Sequence, residues 1–243
     1  MSGFAGAADL TAAAPPPVVA APSPFFVKLG FTYIINNSTS TLYSQTVDPI
    51  PGPGFGSAIS PQIQVPGAGA NIANVATVGF EAGYYVMPNI SLDISAGVPM
   101  WAKVSSKGTP TLGVPPLWGN PVNGTTLATI IPSFVPITAL YHFNQLGAFQ
   151  PYAGGGFAPV FSIAQKNGSA TGVTVDPTVG LVLQAGADYM IDNHWGLSVD
   201  VKRLFADGVT HTTGLAGDPF PVAGTLKTQF NTWTLSTGVV YRF

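Results

Sequence analysis

The sequence predicts an all-β fold, an eight-stranded antiparallel transmembrane β-barrel with short periplasmic turns and long extracellular loops. The first observation is composition: only 7% of the 243 residues are charged, against about 25% in an average soluble domain. The second is a positive mean hydropathy of +0.35. The third is a recurring alternation of apolar and polar residues, which is typical of strands with one apolar face. Together these observations indicate a chain that contacts lipid through strands.

Proline argues against membrane-spanning helices. A spanning helix needs about 20 consecutive, mostly apolar residues, and residues 108–165 contain no Asp, Glu, Lys or Arg. The same segment contains eight prolines and many glycines, which interrupt every apolar stretch of spanning length. A closed barrel is the other structure that satisfies all backbone groups in lipid.

The C-terminal segment shows the strand alternation most clearly. Trp233, Leu235 and Val239 share one face, while Thr234 and Arg242 lie on the other. Seven further segments have similar patterns. The eight predicted strands cover residues 25–36, 75–87, 90–104, 126–143, 150–165, 177–191, 195–206 and 229–243.

The connections between these strands alternate in length. The short ones lie at residues 87–89, 144–149 and 192–194, and the long ones at about 37–74, 105–125, 166–176 and 207–228. Outer-membrane barrels carry short turns on the periplasmic rim and longer loops on the extracellular rim. The even strand count therefore predicts that both termini lie at the periplasmic rim.

Charges inside the predicted strands lie opposite the apolar positions. Asp200 and Lys202, for example, alternate with Val199 and Val201. A charge that faces lipid near the midplane costs roughly 2–4 kcal/mol, so these side chains are predicted to face the lumen and to pair there. The predicted lumen charges are Lys28, Glu81, Asp93, Asp188, Asp200, Lys202 and Arg242. Arg203 breaks the pattern and is expected near a strand end, from which it reaches the interface.

Aromatic residues near the predicted periplasmic strand ends indicate a girdle at the lipid headgroups. The predicted girdle consists of Phe25, Phe26, Tyr84, Tyr85, Tyr141, Phe143, Phe149, Tyr152, Tyr189, Trp195, Tyr241 and Phe243. The alternative is that these residues form the core of a soluble barrel, which the low charge content and the alternating connection lengths disfavour.

Four segments resemble the OmpW/AlkL family of bacterial eight-stranded outer-membrane barrels: "ATVGFEAGYYVMPNISLDISAGVP", "FQPYAGGGF", "AGADYMIDNHWGLSVDVKRLFAD" and "STGVVYRF". The resemblance extends over residues 26–243 and preserves order and spacing. It implies an outer-membrane location, contact with membrane lipid, and small hydrophobic solutes that enter from outside and leave sideways into the membrane. It also implies that the terminal aromatics Tyr241 and Phe243 are the signal read by the outer-membrane insertion machinery.

Two features fit such a route. The long loops at 46–75 and 108–124 are apolar and predict a hydrophobic entrance, formed by Phe55, Trp101, Leu117 and Trp118. Prolines remove ladder donors and predict a lateral seam, formed by Pro99, Pro132, Pro136 and Pro159. In barrels of the family that this chain resembles, apolar inward side chains narrow the lumen. This chain instead has Ser95 and Lys202, which predict an ionic plug.

Two alternatives stay open at the level of sequence. The chain is also consistent with a non-conducting barrel whose extracellular loops bind a phage, a bacteriocin or a neighbouring protein complex. The lumen charges are either a selectivity filter for a polar solute or a salt-bridge network that fills the barrel. Because eight strands enclose a lumen that side chains can fill, and buried charges need partners, the network is favoured.

Other functions find little support. His142, His194 and His211 are scattered, and no serine is visibly placed to pair with any of them, so neither hydrolysis nor metal binding is predicted. A net charge of −2 offers no basic patch for nucleic acid. We therefore predict no enzyme and no cofactor.

The N-terminal residues 1–24 lie outside the predicted barrel domain, which covers residues 25–243. The segment "GFAGAADL" resembles the end of a secretory signal, with cleavage expected near Ala7 or Ala8. The alanine- and proline-rich residues that follow predict an extended periplasmic arm.

Overall fold

The computed structural model describes residues 23–46, 63–64, 67–108, 123–215 and 222–243. The strands are β1 Phe25–Thr46, β2 Ile63–Gln64, β3 Gly69–Ile72, β4 Val75–Met87, β5 Ile90–Gly97, β6 Ala102–Lys107, β7 Thr126–Phe134, β8 Ile137–His142, β9 Phe149–Asn167, β10 Ala170–Thr171, β11 Thr174–Val175, β12 Thr178–Met190, β13 Trp195–Thr212, β14 Gly214–Leu215 and β15 Val222–Arg242, with a 3-10 turn at Asn144–Leu146. In the described part of the chain, no helix is long and apolar enough to cross a membrane.

Eight of these strands close into an antiparallel ring. Its order is β1, β4, β5, β8, β9, β12, β13 and β15, and β15 pairs back onto β1. The N–H of Ser23 donates to the carbonyl of Phe243 (2.9 Å), so the ends of the described chain meet at one rim. The predicted barrel is confirmed.

The side chains of each strand alternate between the outside and the lumen. On β1, Val27, Leu29 and Phe31 are about half exposed, whereas Lys28 and Thr32, which lie on the opposite face, are buried. Because a lipid-facing surface is apolar and a narrow lumen is filled by polar side chains, this alternation places the apolar face of every wall strand in the membrane.

Several strands extend further toward the extracellular side than predicted. β1 was predicted to end at residue 36, but it continues to Thr46 and pairs with β15 as far as Val222. β13 likewise continues to Thr212. The outward residues of these extensions are polar, such as Asn37 and Thr39, so no apolar and polar contrast marks them in the sequence. The barrel wall therefore rises above its apolar band.

Two predicted strands are each broken into two. The predicted strand 90–104 consists of β5 and β6, separated by residues 98–101, and the predicted strand 126–143 consists of β7 and β8, separated by residues 135–136. Each break contains a proline, Pro99 or Pro136, and proline cannot donate a ladder hydrogen bond.

The periplasmic rim carries an aromatic girdle, but three of the predicted members face inward. Phe26 and Tyr152 are only 1% and 2% exposed, and the ring of Tyr85 lies beside those of Phe26 and His142 in the lumen. The others lie on the outer rim, and most of them contact a neighbouring ring, as Phe25 does with Tyr84 at 4.8 Å between ring centroids. The prediction was wrong for the three inward residues because adjacent aromatics such as 25–26 and 84–85 occupy opposite faces.

Cations mark the opposite end of the apolar band. Arg203 does not lie near a strand end as predicted, because β13 continues nine residues beyond it to Thr212. Its guanidinium instead contacts the rings of Phe205 and Trp233, 4.7 and 4.8 Å from the two centroids. Lys166 stands 4.2 Å over the ring of Trp101 in the same way. Such cation–aromatic pairs suit the headgroup level of the membrane.

Candidate functional site

The lumen is crossed by a network of buried ion pairs. Lys202 on β13 binds Glu81 Oε2 at 2.8 Å and Asp200 Oδ1 at 2.6 Å. Lys28 on β1 lies 3.4 Å from Glu81 Oε1 and 3.3 Å from Asp188 Oδ1 on β12. Glu81 itself belongs to β4, so the pairs join four different strands. All five side chains are less than a tenth exposed.

Gln184 on β12 ties the network together through its amide. Its Nε2 donates to Glu81 Oε2 (3.0 Å) and to Asp200 Oδ2 (2.8 Å), while its Oε1 accepts a hydrogen bond from Thr138 (2.8 Å). The hydroxyl of Tyr152 also donates to Asp200 Oδ2 (3.0 Å). Glu81 Oε2 and Asp200 Oδ2 thereby gain hydrogen bonds that offset part of their desolvation.

The two remaining lumen charges differ in their surroundings. Arg242 Nη2 lies 3.9 Å from Asp188 Oδ2 and donates to Gln150 Oε1 at 2.6 Å. Asp93 is only 2% exposed, yet it forms no ion pair with any described residue. Six of the seven predicted lumen charges are therefore brought into one network, and Asp93 lies outside it.

An aromatic layer lies beneath the ion pairs on the periplasmic side. The rings of Tyr85 and Tyr152 lie 4.9 and 5.2 Å from that of His142, and Lys28 Nζ stands 4.0 Å over Tyr152. Gly186 makes room for this layer, because a Cβ there would come 2.4 Å from the Tyr152 hydroxyl oxygen. The ion pairs and this layer together are called the plug below.

One serine lies against a histidine, which the sequence did not predict. Ser91 Oγ and His142 Nε2 are 2.9 Å apart, and Nδ1 of the same ring faces the Tyr85 hydroxyl at 3.3 Å. Both Ser91 and His142 are fully buried. A nucleophile must reach its substrate, and the base must be oriented by a third group. Tyr85 can orient the ring, but a dyad sealed in the plug cannot reach a substrate.

A chamber of about 360 Å³ opens above the plug. Lys28, Glu81, Asp200 and Lys202 form its floor. Its walls are apolar on the β7 and β9 side, where Phe134 and Val160 pack on a buried cluster of Ala158, Val182 and Leu204. The volume lies in the usual range of small-molecule sites, roughly 300–1,000 Å³.

The chamber reaches the outer surface through a gap in the wall. The β5–β8 ladder ends at the pair Ile94 and Ile137, and the β6–β7 ladder begins at Ala102 and Ile130. Between these pairs the structure gives one backbone bond across the opening, from the N–H of Ser95 to the carbonyl of Pro136 (3.0 Å). Residues from both edges line the chamber. We call residues 95–101 and 131–136 the lateral gap.

Three of the four predicted seam prolines border this gap: Pro99, Pro132 and Pro136 all line the chamber there. Pro159 does not border it. Its carbonyl accepts from Val135 N–H (3.2 Å), and the residue is paired with Val179 of β12 in a continuous ladder.

The predicted entrance is only partly described. Trp101 is not part of the chamber lining; its ring is 44% exposed and lies beneath Lys166. Phe55, Leu117 and Trp118 lie outside the described residues, as do residues 1–22 of the predicted signal remnant and arm. Tyr241 and Phe243 lie at the periplasmic rim with ring centroids 5.0 Å apart.

The uncharged polar residues of the plug were not predicted from the sequence. Gln184, Thr138 and His142 each occupy an inward position between apolar outward neighbours. The alternation predicts their inward direction as it does for the charged residues, but an uncharged polar side chain does not by itself indicate an ionic network. Within the described residues, no cluster of three or more His, Cys, Asp or Glu side chains is arranged to hold a metal ion.

The fold and the lumen define a class of protein. A closed antiparallel ring with an apolar outer band, an aromatic girdle at one rim and charged residues directed inward is a transmembrane β-barrel of the bacterial outer-membrane type.

The chain belongs to the OmpW family, whose model matches residues 57–243. It is 30% identical over 181 residues to the uncharacterized outer-membrane protein y4mB of Sinorhizobium fredii, which covers 74% of this chain and 71% of that protein. It is 28% identical to the outer membrane protein AlkL of Ectopseudomonas oleovorans, with the same two shares covered. The crystal structure of OprG from Pseudomonas aeruginosa matches with a TM-score of 0.71 at 18% identity, covering 91% of this chain and 97% of that chain.

The predicted family, fold class and outer-membrane location are thereby confirmed. The family also places the chain among non-enzymatic outer-membrane barrels, as predicted.

Proposed function

We propose that this barrel carries small hydrophobic molecules from the extracellular side into the chamber and releases them sideways into the membrane through the lateral gap. One observation carries the proposal: the chamber is closed below by the plug and open at the side, where prolines interrupt the ladders.

The plug argues against a straight route to the periplasm. A solute moving downward would have to separate Lys202 from Glu81 and Asp200, and separating a buried ion pair costs about 3–5 kcal/mol. A lateral route crosses no charge. Its edges include Val98 and Met100, which are about half exposed on the outer surface, so an apolar solute stays in apolar surroundings as it leaves.

A relative supports the same class of solute. The name of PahQ of Pseudomonas aeruginosa, which is 22% identical over 142 residues, places it in a dibenzothiophene metabolism operon. An apolar aromatic compound such as dibenzothiophene fits the apolar wall of this chamber.

The experiment measures uptake of radiolabelled naphthalene by cells whose outer membrane carries the barrel. The gap is narrowed by the double change Pro99→Val and Pro136→Val, which returns two backbone donors to the gap edges. Pro151→Val is the matched control, because Pro151 lies on β9 in a continuous ladder near the periplasmic rim. Heat-dependent gel migration verifies that each variant is folded.

We expect the wild type and Pro151→Val to raise uptake several-fold over cells without the barrel, and the double variant to lose most of that gain. Equal uptake by the double variant and the wild type would contradict lateral release. Wild-type uptake no faster than in cells without the barrel would contradict transport and leave the loop-docking alternative.

Two related proposals concern the assembly of the barrel and the role of the lumen charges. We propose that the terminal aromatics, the exposed Phe243 and the half-buried Tyr241, are recognised by the outer-membrane insertion machinery. We also propose that the charged plug is structural and blocks solute, since six of the seven predicted lumen charges have ionic partners within it.

A further inference from the structure

The chamber has two unlike sides. The lateral gap lies between β5 and β8, and in the eight-strand ring the point directly across from it lies between β13 and β15. The gap side is mostly apolar, with Ser95 and Ser133 as polar members of its lining. The opposite side, which we call the polar wall, consists of Ser198, Lys202, Thr232, Thr234 and Ser236. A solute that fills the chamber therefore contacts hydrocarbon at one end and hydrogen-bonding groups at the other.

Part of the polar wall has unused hydrogen-bonding capacity. Ser198 is only 6% exposed, and its Oγ has no hydrogen-bond partner among the described residues. The hydroxyl of Thr234, in register with Lys202, likewise forms no hydrogen bond within the described ranges, whereas Ser236 Oγ is paired with Thr32 at 3.0 Å. Buried polar groups are normally satisfied, and one left open in a cavity indicates a missing partner.

Lys202 contributes a further donor. An ammonium group has three N–H donors, and the two carboxylates of Glu81 and Asp200 account for two of them. Lys202 and the open hydroxyls lie on the same wall, so a hydroxyl placed there can both accept and donate hydrogen bonds, and a carbonyl oxygen can accept them.

The charge of the lumen restricts the head of such a solute to a neutral group. The lumen holds the cations Lys28, Lys202 and Arg242 together with four carboxylates, one of which, Asp93, has no cationic partner among the described residues. An anionic head would lose its hydration in a poorly solvated space, where Lys28 and Lys202 already hold carboxylates of the protein.

We infer that the chamber selects amphiphilic solutes, with an apolar body directed toward the lateral gap and a neutral hydroxyl or carbonyl head on the polar wall, over plain hydrocarbons of the same length. This inference rests on the transport function proposed above. The polar wall orients the solute so that its apolar end leaves first.

The test compares barrel-dependent uptake of three matched solutes: octane, 1-octanol and octanoate. The rate in cells without the barrel is subtracted for each. The variant is Ser198→Ala with Thr234→Val, which removes the open hydroxyls at nearly constant volume. Thr228→Val is the control, because that buried hydroxyl on the same strand pairs with Ser40 (3.1 Å) and does not line the chamber.

For the wild type and the control, we expect barrel-dependent uptake of 1-octanol to be about three- to tenfold faster than that of octane, because one net hydrogen bond provides a difference of this size. Uptake of octanoate is expected to be slowest. In the double variant, the ratio of 1-octanol uptake to octane uptake is expected to fall to about one, while octane uptake itself is unchanged. Backbone amide signals of residues 198 and 234 in lipid nanodiscs should shift with 1-octanol and not with octane.

The outcomes separate the two claims. Equal uptake of octane and 1-octanol by the wild type, both above background, would overturn the selectivity and leave transport intact. A preference that survives in the double variant would overturn the role of the polar wall. Absence of barrel-dependent uptake for all three solutes would instead overturn the proposed function.

Discussion

Lys202 Nζ lies 2.8 Å from Glu81 Oε2, and this contact joins β13 to β4 across the lumen. Two strands, β15 and β1, separate them in the ring, so the pair connects parts of the wall that are not hydrogen-bonded neighbours. The same ammonium holds Asp200 on its own strand. The contact therefore stabilises the barrel and closes the lumen at once.

Removing Lys202 is expected to destabilise the barrel strongly. The change Lys202→Met leaves Glu81 and Asp200 buried without their nearest cation, which costs about 3–5 kcal/mol. The measurement is the free energy of unfolding in urea, followed by tryptophan fluorescence in lipid vesicles. Lys103→Met is the control, since Lys103 is exposed, and its effect should stay within about 0.5 kcal/mol. Similar values for both variants would contradict the structural role of the plug.

Neutralising Asp93 is expected to affect the free energy of unfolding differently from neutralising Glu81. Asp93 is buried without an ion pair among the described residues, so Asp93→Asn removes an uncompensated carboxylate and should leave the free energy of unfolding unchanged or raise it. Glu81→Gln removes the partner of two lysines and should lower it by about 3 kcal/mol or more. The same urea titration compares both variants. A large loss of stability in Asp93→Asn would show that this carboxylate has a partner that stabilises the fold.

The terminal aromatic is expected to act in assembly more than in stability. Phe243→Ala should reduce the amount of folded barrel in the outer membrane several-fold, while the purified variant folds in vesicles as the wild type does. Phe25→Ala is the matched control, because Phe25 lies beside Phe243 at the same rim and is equally exposed, 55% against 54%. Quantitative gel migration of cell envelopes gives the folded amounts. If Phe25→Ala lowers the amount of folded barrel as much as Phe243→Ala does, the loss comes from the aromatic rim in general and not from the terminal residue.

The turn before β13 is expected to weaken in acid. Backbone N–H groups of Trp195 and His194 donate to Asp192 Oδ1, both at 2.7 Å, and hold the pKa of this carboxyl below its usual value of 3.8. A lowered folded-state pKa stabilises the protein above the unfolded pKa, and this contribution is lost as the pH falls through the folded pKa.

Asp192→Asn keeps an oxygen in the turn and removes only the charge. The wild type should therefore be more stable than this variant near pH 6, and the difference should vanish toward about pH 2. Urea unfolding at a series of pH values measures it. If the difference in stability is the same near pH 6 and near pH 2, it does not come from the charge of Asp192.

Much of the barrel follows from sequence because alternation and lipid leave few choices. The inward positions of Lys28, Asp188 and Lys202 could be assigned by parity alone, since a charge among outward apolar residues is costly in lipid. The short turns at 87–89 and 192–194 were likewise set by the spacing of apolar runs.

Other features depend on contacts between distant segments. The upper half of β1, residues 37–46, has polar residues on both faces, so no periodicity marks it as a strand. The pairing of Ser91 with His142 joins residues 51 positions apart and has no local signal. The isolation of Asp93 depends on which cations its neighbours have already engaged, which sequence does not record.

The most direct test of lateral release uses one barrel in open and closed forms. The chain has no cysteine, so Ala96→Cys and Val135→Cys, one on each edge of the lateral gap, can be bridged selectively by a bifunctional methanethiosulfonate and released by a reductant. Naphthalene uptake is measured before bridging, after it, and after reduction, with bridging verified by mass spectrometry. Lateral release predicts that uptake falls toward background when the gap is bridged and recovers on reduction. Unchanged uptake in the fully bridged barrel would contradict it.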